Sequence, residues 1–469
     1  MKNINYRITF LILSVSLTLA VAFGCAPANP KQSPSSNVSI PEGEVDPAVW
    51  GKVYPDQYAS WQKQSEMVKG NSKYGGSVPE SYLKESPVQI KLFAGYPFGE
   101  DYNKRRGHVY ALEDVEKTKR IGPKSIASCW NCKSPNVPPL INQMGDSFWS
   151  TPFAQLKDKM KHPIACADCH DPKSMELKIT RVTLLDALKV RGIDPAKLSR
   201  QEMRTMVCAQ CHVEYYFAPD HKKVTYPWKY GLRMEDEEKY YDEIKFKDWE
   251  HPQTKAPMLK AQHPDYETWS TGVHAANGVA CADCHMPYVK QGQSKISSHN
   301  MQSPLNSIAE SCQTCHKQSE QYLKDQVIGT QDKVYQTKRS LEDSLSDAID
   351  AITNASQNSA AKPDLINEAR TLHRKAQWRW DWVSAGNGMG IHSPDECLRV
   401  LADGITLARQ AQLKANLAVG GLAGGTGGPT TAGGTSTSGT AVDAHGSGGN
   451  PGTPTTPPGA PGNNPVSNK

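Results

Sequence analysis

Ile126–Pro135 reads I-A-S-C-W-N-C-K-S-P and holds a C-x-x-C motif, Cys129 and Cys132, with Lys133 directly after it. Four further motifs of the same spacing end in histidine instead, and they comprise Cys166, Cys169 and His170; Cys208, Cys211 and His212; Cys281, Cys284 and His285; and Cys312, Cys315 and His316. C-x-x-C-H is the attachment motif of c-type haem. The two thiols anchor the haem, and the histidine binds its iron. Lysine keeps the anchor and changes the iron ligand, which indicates one haem with a different task.

The N-terminal sequence predicts export from the cytoplasm. Export fits the haem motifs, because c-type haem is attached outside the cytoplasm. Lys2 and Arg7 precede an apolar run from Ile8 to Phe23, so residues 1–24 are interpreted as a signal peptide. Cys25 follows Gly24 as in a lipoprotein cleavage site, and a lipid there would tether the chain to the membrane. The alternatives are ordinary cleavage or an uncleaved anchor, since Ala22 and Phe23 fit the lipoprotein pattern imperfectly.

Other readings of the cysteine pairs are weaker. A single C-x-x-C pair can be a redox dithiol or half of a zinc site. Four pairs followed by histidine in one exported chain exclude both readings. For the first pair the alternatives are a decayed haem site or a plain disulfide, but Trp130, Pro135 and its place at the head of the series favour a retained site. We therefore predict five covalently bound haem c groups.

Composition limits the remaining possibilities. The 469 residues suffice for two or three domains, and the hydrophobic content of 38% is below the usual range. A polar tail accounts for part of this deficit, and haem groups would add apolar core mass. The net charge of +5 is mild and does not indicate nucleic acid as a partner. Ten of twelve cysteines lie in the five motifs, so no disulfide framework is expected, and Cys397 is interpreted as a small buried helix residue.

Composition and hydrophobic spacing along the chain predict its domains and a mainly α-helical, multihaem cytochrome c fold. Residues 25–45 are predicted to be a flexible tether, and 46–317 a pentahaem catalytic domain of short helices wrapped on haems, with helices at 182–189 and 199–207. Residues 318–417 carry helical spacing and predict a domain of long helices that serves as a dimer surface. Residues 418–469 are rich in Gly, Thr and Pro and are predicted to be disordered.

The chain resembles the pentahaem, ammonia-forming cytochrome c nitrite reductases from about Val45 to Leu417. The resemblance is most specific at Cys129–Lys133, at Cys208–Phe217 (C-A-Q-C-H-V-E-Y-Y-F) and at Lys260–Pro264 (K-A-Q-H-P). It implies that the haem ligated by Lys133 is the active site and that four bis-histidine haems pass electrons to it. The glycine-threonine tail and the possible lipid anchor are additional to the family pattern.

The resemblance also implies roles for particular residues. The active site would use Arg120, Tyr215 and His263 beside Lys133. A calcium ion would bind the side chains of Glu214 and Gln262 and the carbonyl oxygens of Tyr215 and Lys260, a donor set that suits calcium. The second iron ligand of the four other haems would be one of the distal histidines, which are His108, His274, His299 and His392. Histidines 162, 221, 251 and 373 are interpreted as structural or haem-edge residues.

The chemistry needs these residue types. Six electrons, with protons, convert nitrite to ammonium, so the site requires an open iron, an anion hold and proton donors. Arg120 offers a fixed positive charge, while His263 and Tyr215 can donate protons. Taken singly, each residue also has a non-catalytic interpretation: Arg120 as a solvated charge, Tyr215 as core packing, and His263 as a distal ligand or turn residue.

Two classes of function remain open on the residues alone. One is a periplasmic enzyme of nitrate or nitrite respiration, or ammonification, that reduces nitrite, with hydroxylamine or sulfite as alternative substrates. The other is a non-catalytic electron-transfer cytochrome in which every iron has two protein ligands. The expected electron donor is a membrane quinol-oxidising cytochrome or a soluble multihaem cytochrome. The resemblance implies a homodimer formed through the C-terminal helices.

Overall fold

The structure is a computed structural model that describes residues 39–104 and 106–420. The predictions for the signal peptide, for Cys25 and for the tail beyond residue 420 lie outside the described residues. Within these ranges the chain is mainly α-helical, as predicted. None of the described helices combines the length and apolar character that a membrane span requires. Ile40 falls inside the predicted tether, yet it is buried against Trp50 and Val53.

Short helices are distributed along the first three quarters of the described chain, and the longest of them has ten residues. In chain order they are α1 (Pro47–Val53), α2 (Pro55–Gln62), α3 (Tyr82–Glu85), α4 (Val88–Leu92), α5 (Ala111–Lys117), α6 (Val137–Met144), α7 (Ser147–Ser150), α8 (Phe153–Leu156), α9 (Val182–Val190), α10 (Arg200–Ala209), α11 (Met234–Glu243), α12 (Asp265–Ser270), α13 (Val273–Ala276), α14 (Cys281–His285) and α15 (Ile308–Ser311). Helices α9 and α10 confirm the two early helices predicted from the sequence. A capping box between Ser199 and Glu202 fixes the start of α10.

Three long helices follow, as the spacing predicts. They are α16 (Glu320–Gln357), α17 (Pro363–Ala385) and α18 (Pro394–Ala418). The predicted stripe on α16, Leu341, Leu345, Ile349 and Ile352, is wholly buried. Prolines occupy the first positions of α17 and α18, where the missing N–H costs no hydrogen bond.

Strands are few and short, and they pair as three antiparallel hairpins. β1 (Tyr216–Phe217) pairs with β2 (Val224–Thr225), and β3 (Trp249–Glu250) pairs with β4 (Pro257–Met258). The longest pair is β5 (Tyr288–Gln291) with β6 (Ser294–Ser297), in which Tyr288 lies opposite Ser297.

Two hydrophobic clusters hold the motifs in place. One surrounds the first and third motifs and includes Trp130, Phe148, Trp149 and Trp228. The other joins the long helices to the earlier chain, because Trp380 of α17 packs against Phe93, which follows α4. The long helices thus share a core with residues of the predicted catalytic domain. The domain boundary at residue 317 stays a prediction.

Candidate active site

Each C-x-x-C-H motif forms a tight helical turn. In the second, third and fifth motifs the histidine N–H donates to the carbonyl of the first cysteine, at 3.0, 2.9 and 2.9 Å. The fourth motif is helix α14. Asp168 and Asp283, inside the second and fourth motifs, accept from the N–H before the first cysteine at 2.8 and 2.7 Å. These caps satisfy donors at the start of each turn and fix the orientation of the histidine.

The first motif has a different local geometry. It begins inside a 3-10 turn at Ala127–Trp130, and the N–H of Lys133 donates to the carbonyl of Trp130 at 2.9 Å. Trp130 is fully buried, stacks on Phe153 with ring centres 3.9 Å apart, and donates its indole N–H to the Phe153 carbonyl. The residue between the two cysteines therefore anchors this turn in the hydrophobic cluster.

A buried arginine fixes the chain on both sides of Lys133. Arg181 donates to the carbonyl of Asn131 at 2.6 Å and to that of Ser134 at 3.0 Å. It also forms an ion pair with Asp168 of the second motif, and both side chains are at most 2% exposed. One guanidinium thus holds the first and second motifs together. Sequence reasoning missed Arg181, which no motif marks.

Each predicted distal histidine faces a different motif histidine. The pairs are His108 with His212, His170 with His299, His274 with His316 and His285 with His392, and their ring centres lie 6.1, 6.2, 6.3 and 6.1 Å apart. Two metal–imidazole bonds of about 2 Å, plus the distance from each nitrogen to its ring centre, add up to such a separation. All four distal histidines are therefore placed opposite the histidine motifs.

The hydrogen bonds of these histidines suit metal ligation. His170, His285 and His299 bond through Nδ1 to main-chain carbonyls, each at 2.9 Å, so Nδ1 carries the proton. The other nitrogen then keeps its lone pair for a metal. Burial, with a smaller contribution from the facing imidazole, lowers the pKa of His108 to about 3 and that of His285 to about 4. These rings are neutral at physiological pH, which is the form that binds iron.

One large cavity connects the motifs. Its volume is about 2010 Å³, and its walls include Lys133 together with cysteines or histidines of all five motifs. A pocket for a single ligand of ordinary size has a volume of roughly 300–1,000 Å³. The cavity, its thiols and the facing imidazoles therefore fit several haem groups held side by side.

Arg120 and His263 line the same cavity as Lys133, and Tyr215 contacts His263. Arg120 and Lys133 both lie close enough to Cys129 for their positive charges to lower its pKa, although burial outweighs them and raises it. The Arg120 guanidinium is held on one side, because its Nε–H donates to Thr118 Oγ1 at 3.1 Å. The Tyr215 ring meets His263 edge to face with centres 6.0 Å apart. His263 is 8% exposed and its ring centre is 5.8 Å from that of His212.

The candidate calcium residues are brought together by one hydrogen bond between two distant segments. The Gln262 N–H donates to Glu214 Oε2 at 2.6 Å, and the Tyr241 hydroxyl donates to Glu214 Oε1 at 3.0 Å. Glu214 is fully buried, and burial raises its pKa well above the ordinary value. A buried carboxylate without a cation is costly, so a calcium ion at this point would offset that cost. The donor set fits calcium on these grounds.

Lys260 has its side chain engaged elsewhere. Its Nζ pairs with Asp381 Oδ1 at 2.8 Å, and both side chains are fully buried. This leaves the carbonyl of Lys260, rather than its ammonium group, as the predicted calcium ligand of this residue. The same ion pair fixes the start of the Lys260–Pro264 segment, because Asp381 also accepts from the Ala261 N–H at 2.8 Å.

Two of the four histidines interpreted as structural form a buried pair of their own. His251 and His373 are fully buried with ring centres 5.5 Å apart. His373 is hydrogen-bonded to Thr254 and Gln377, and His251 donates to the carbonyl of Lys91. Both nitrogens of His373 are thereby occupied, as a core histidine requires. Cys397 is buried at 1% exposure on α18, as the sequence predicts.

Fold and site define a multihaem cytochrome of the c type. The chain matches the family description of cytochrome c552 over residues 46–433. It is 43% identical over 369 residues to a cytochrome c-552 of Parabacteroides distasonis, covering 77% of this chain and 74% of that protein. It is 38% identical over 443 residues to a cytochrome c nitrite reductase subunit of Nitratidesulfovibrio vulgaris, covering 85% and 84%.

A solved structure gives the same result. The cytochrome c nitrite reductase catalytic subunit of Desulfovibrio desulfuricans matches with a TM-score of 0.79 and 36% identity, covering 82% of this chain and 89% of that chain. The chain belongs to the cytochrome c552 family. The resemblance to the pentahaem cytochrome c nitrite reductases is confirmed, and the protein is an enzyme of this kind with covalently bound haem c.

Proposed function

We propose that the chain reduces nitrite to ammonium at a haem anchored by Cys129 and Cys132 and ligated by Lys133. The observation that carries this proposal is the allocation of the distal histidines. All four of them face motif histidines, so none of the four is left to close the face opposite Lys133. When bound, the haem supplies an iron that accepts nitrite and transfers electrons to it. An electron-transfer cytochrome would gain nothing from such an open position.

Arg120 holds the anionic substrate. Its guanidinium carries a permanent positive charge and planar donors that match the oxygens of nitrite. Lys119 lines the same cavity as Arg120 and adds a second positive charge there, whereas the nearby Lys117 is paired with Glu113 at 2.7 Å. These charges attract nitrite and stabilise negative charge on its oxygens as the nitrogen–oxygen bonds break.

His263 and Tyr215 supply protons. Each oxygen of nitrite leaves as water, and each nitrogen–hydrogen bond of ammonium needs a further proton. An imidazole transfers protons readily near neutral pH, and a phenol next to it can donate a hydrogen bond or a proton. The edge-to-face contact between the two rings supports their action as a pair.

Electrons reach the Lys133 site through a series of adjacent motifs. The Cys132 thiol lies against that of Cys211, and the Cys208 thiol lies against that of Cys281. The fourth motif in turn neighbours the fifth, because the Cys312 thiol raises the pKa of Cys284 after burial. These contacts support a route that ends with the third motif handing electrons to the first.

Calcium binds at Glu214, Tyr215, Lys260 and Gln262. Its charge raises the local positive potential, and its ligands flank Tyr215 and precede His263, so the ion positions both proton donors. The full burial of Glu214, which raises its pKa despite two hydrogen bonds, supports the site. The Desulfovibrio desulfuricans structure is described as having two calcium sites.

The setting of the enzyme follows from the same proposal. It acts in the periplasm in nitrate or nitrite respiration, or ammonification, with electrons from a quinol-oxidising membrane cytochrome or a soluble multihaem cytochrome. Two copies associate through the C-terminal helices, and lipid on Cys25 tethers the pair to a membrane. Mass measurement of the mature chain, and its elution volume in detergent-free buffer, test the lipid and the dimer.

Spin states test the central assignment. The oxidised wild-type enzyme should contain one high-spin haem beside low-spin haems, and nitrite should convert only the high-spin signal. The Lys133→His variant should still hold the same number of haems but lose most nitrite reduction. A spectrum containing low-spin haem alone would reject the enzyme in favour of an electron-transfer cytochrome.

A further inference from the structure

The histidine of the third motif differs from its counterparts in the partner of its Nδ1. His170 and His285 donate to neutral main-chain carbonyls. His212 instead meets a carboxylate, with Nδ1 3.1 Å from Asp265 Oδ2. The two residues are 53 positions apart in the sequence, and Asp265 is 8% exposed. Among the described motif histidines with a recorded Nδ1 partner, His212 alone has a charged one.

The carboxylate of Asp265 is itself held in place. Asn387 donates its backbone N–H to Asp265 Oδ1 and its side-chain amide to Oδ2, each at 2.6 Å. With His212 this gives three N–H donors on one carboxylate, a set that requires the charged form. The loop that precedes α18 therefore fixes both the position and the charge of this group.

Asp265 also lies beside the proposed proton donor. One ligating atom from each of His212, His263 and Asp265 lies within 4.8 Å of the others. The Nδ1 of His212 and both oxygens of Asp265 are already in hydrogen bonds, so the cluster is part of the haem environment and not a separate metal site. Because Asp265 lies on the Nδ1 side of His212, we assign His108 to the Nε2 side.

A carboxylate hydrogen-bonded to a ligating imidazole makes that imidazole a stronger donor. A stronger donor stabilises ferric over ferrous iron, and hydrogen bonding to the axial ligand is one of the levers by which a protein sets a haem potential. Charge-assisted hydrogen bonds are about twice as strong as neutral ones. The effect at His212 therefore exceeds that of the carbonyls at His170 and His285.

We propose that Asp265 is a positioning residue that gives the His108–His212 haem the lowest reduction potential of the bis-histidine haems. This inference rests on the ligand pairs of the proposed function. The third motif contacts the first, so the strongest one-electron donor of the series stands next to the Lys133 site. Its low potential favours electron transfer to bound nitrite over storage of the electron in the series.

The test is a spectroscopically monitored redox titration of the Asp265→Asn holoenzyme, in which the amide keeps the shape and removes the charge. One low-spin haem should show a tenfold shift of its oxidised-to-reduced ratio toward the reduced form at fixed potential, which equals 59 mV for a one-electron couple. The haem held by His285 and His392 should shift less, because Asp265 acts on these two histidines through its charge alone. The two remaining low-spin haems should keep their potentials. Asp265→Glu keeps the negative charge and should restore most of the wild-type potential.

Asp283→Asn is the matched control. Asp283 is the corresponding carboxylate neighbour of the fourth motif, and its contacts are Ala280, Gln201 and Arg204 and no histidine. Its neutralisation should leave the lowest potential unchanged. An unchanged titration for Asp265→Asn, or an equal shift in both variants, overturns the proposal.

A measurement on the wild type keeps the test independent of folding. The near-infrared charge-transfer band of low-spin haem responds to axial donor strength, so one bis-histidine haem should stand apart from the rest. A single common band position overturns the inference even if Asp265→Asn fails to load haem. A wild type that shows the shifted haem but forms no ammonium would instead reject the proposed function alone.

Discussion

The guanidinium carbon of Arg120 lies 4.2 Å from the centre of the Phe98 ring. On the same ring, the ammonium of Lys260 lies 4.6 Å from the centre. Phe98 is 7% exposed, so its faces are available to these two cations and little to water. A single aromatic ring therefore connects the proposed substrate-binding arginine with the segment that leads to His263.

The Phe98→Leu variant tests this contact. Leucine keeps the apolar volume but lacks the π face, so the variant should lose about 1 kcal/mol of Arg120 positioning, which is roughly fivefold. We expect this loss to raise the KM for nitrite and to change the thermal stability little. The control is Phe93→Leu, because the Phe93 ring lies 5.2 Å from the Lys260 ammonium, whereas the ring that Arg120 contacts is Phe98. Equal changes in KM for both variants would contradict a specific role of Phe98.

Arg181 gives a prediction about stability. Its replacement by leucine leaves the Asp168 carboxylate buried without its positively charged partner and should destabilise the protein by roughly 3–5 kcal/mol. The pair of Arg204 with Asp283 repeats this arrangement at the fourth motif with 12% and 31% exposure, so Arg204→Leu should cost only about 1 kcal/mol. Denaturant unfolding of both variants measures the difference. Similar losses would show that burial of the Arg181 pair is unimportant.

Removal of calcium gives a prediction about activity. Glu214→Gln should lower the calcium content of the purified protein and reduce turnover on the order of 100-fold, since displacement of catalytic groups by ~1 Å can cost that much. A chelator should reproduce the loss in the wild type, and added calcium should reverse it. Glu237→Gln serves as control, because Glu237 is equally buried but bonds to Trp382 outside the proposed ligand set. Full calcium content in Glu214→Gln would refute the site.

The buried pair His251 and His373 predicts how stability depends on pH. Burial, and then the charge of His251, lowers the pKa of His373 to about 3. Between pH ~6.5 and about 3 the unfolded chain therefore binds a proton that the folded chain does not, so stability falls as pH falls through this range. The slope is at most about 1.4 kcal/mol per pH unit for one histidine. His373→Gln should flatten unfolding free energy against pH, and an unchanged slope would contradict this cause.

Local patterns in the sequence were sufficient for much of the fold. The stripe from Leu341 to Ile352 predicted the buried face of α16, because a helix repeats every 3.6 residues and burial follows that repeat. The five motifs and their turns were equally readable, since each depends on neighbours within a few positions. Resemblance to the family supplied the four distal histidines, and the structure paired each with a motif histidine.

The parts that sequence reasoning missed depend on distant contacts. Asp265 reaches His212 across 53 positions, and Arg181 reaches Asn131 across 50. No periodicity or spacing encodes such pairs, because they form only when separate segments pack together. A possible signal for Asp265 was its place two residues after His263. Nothing local marked Phe98 as a partner of Arg120.

The ratio of ammonium formed to nitrite consumed tests the central claim most directly. Purified holoenzyme would be assayed with a reduced viologen dye as the electron source, and both compounds would be measured in the same sample. The account predicts close to one ammonium per nitrite for the wild type, and a loss of turnover in Lys133→His with its haems retained. Oxidation of the dye without ammonium, or undiminished turnover in Lys133→His, would contradict it.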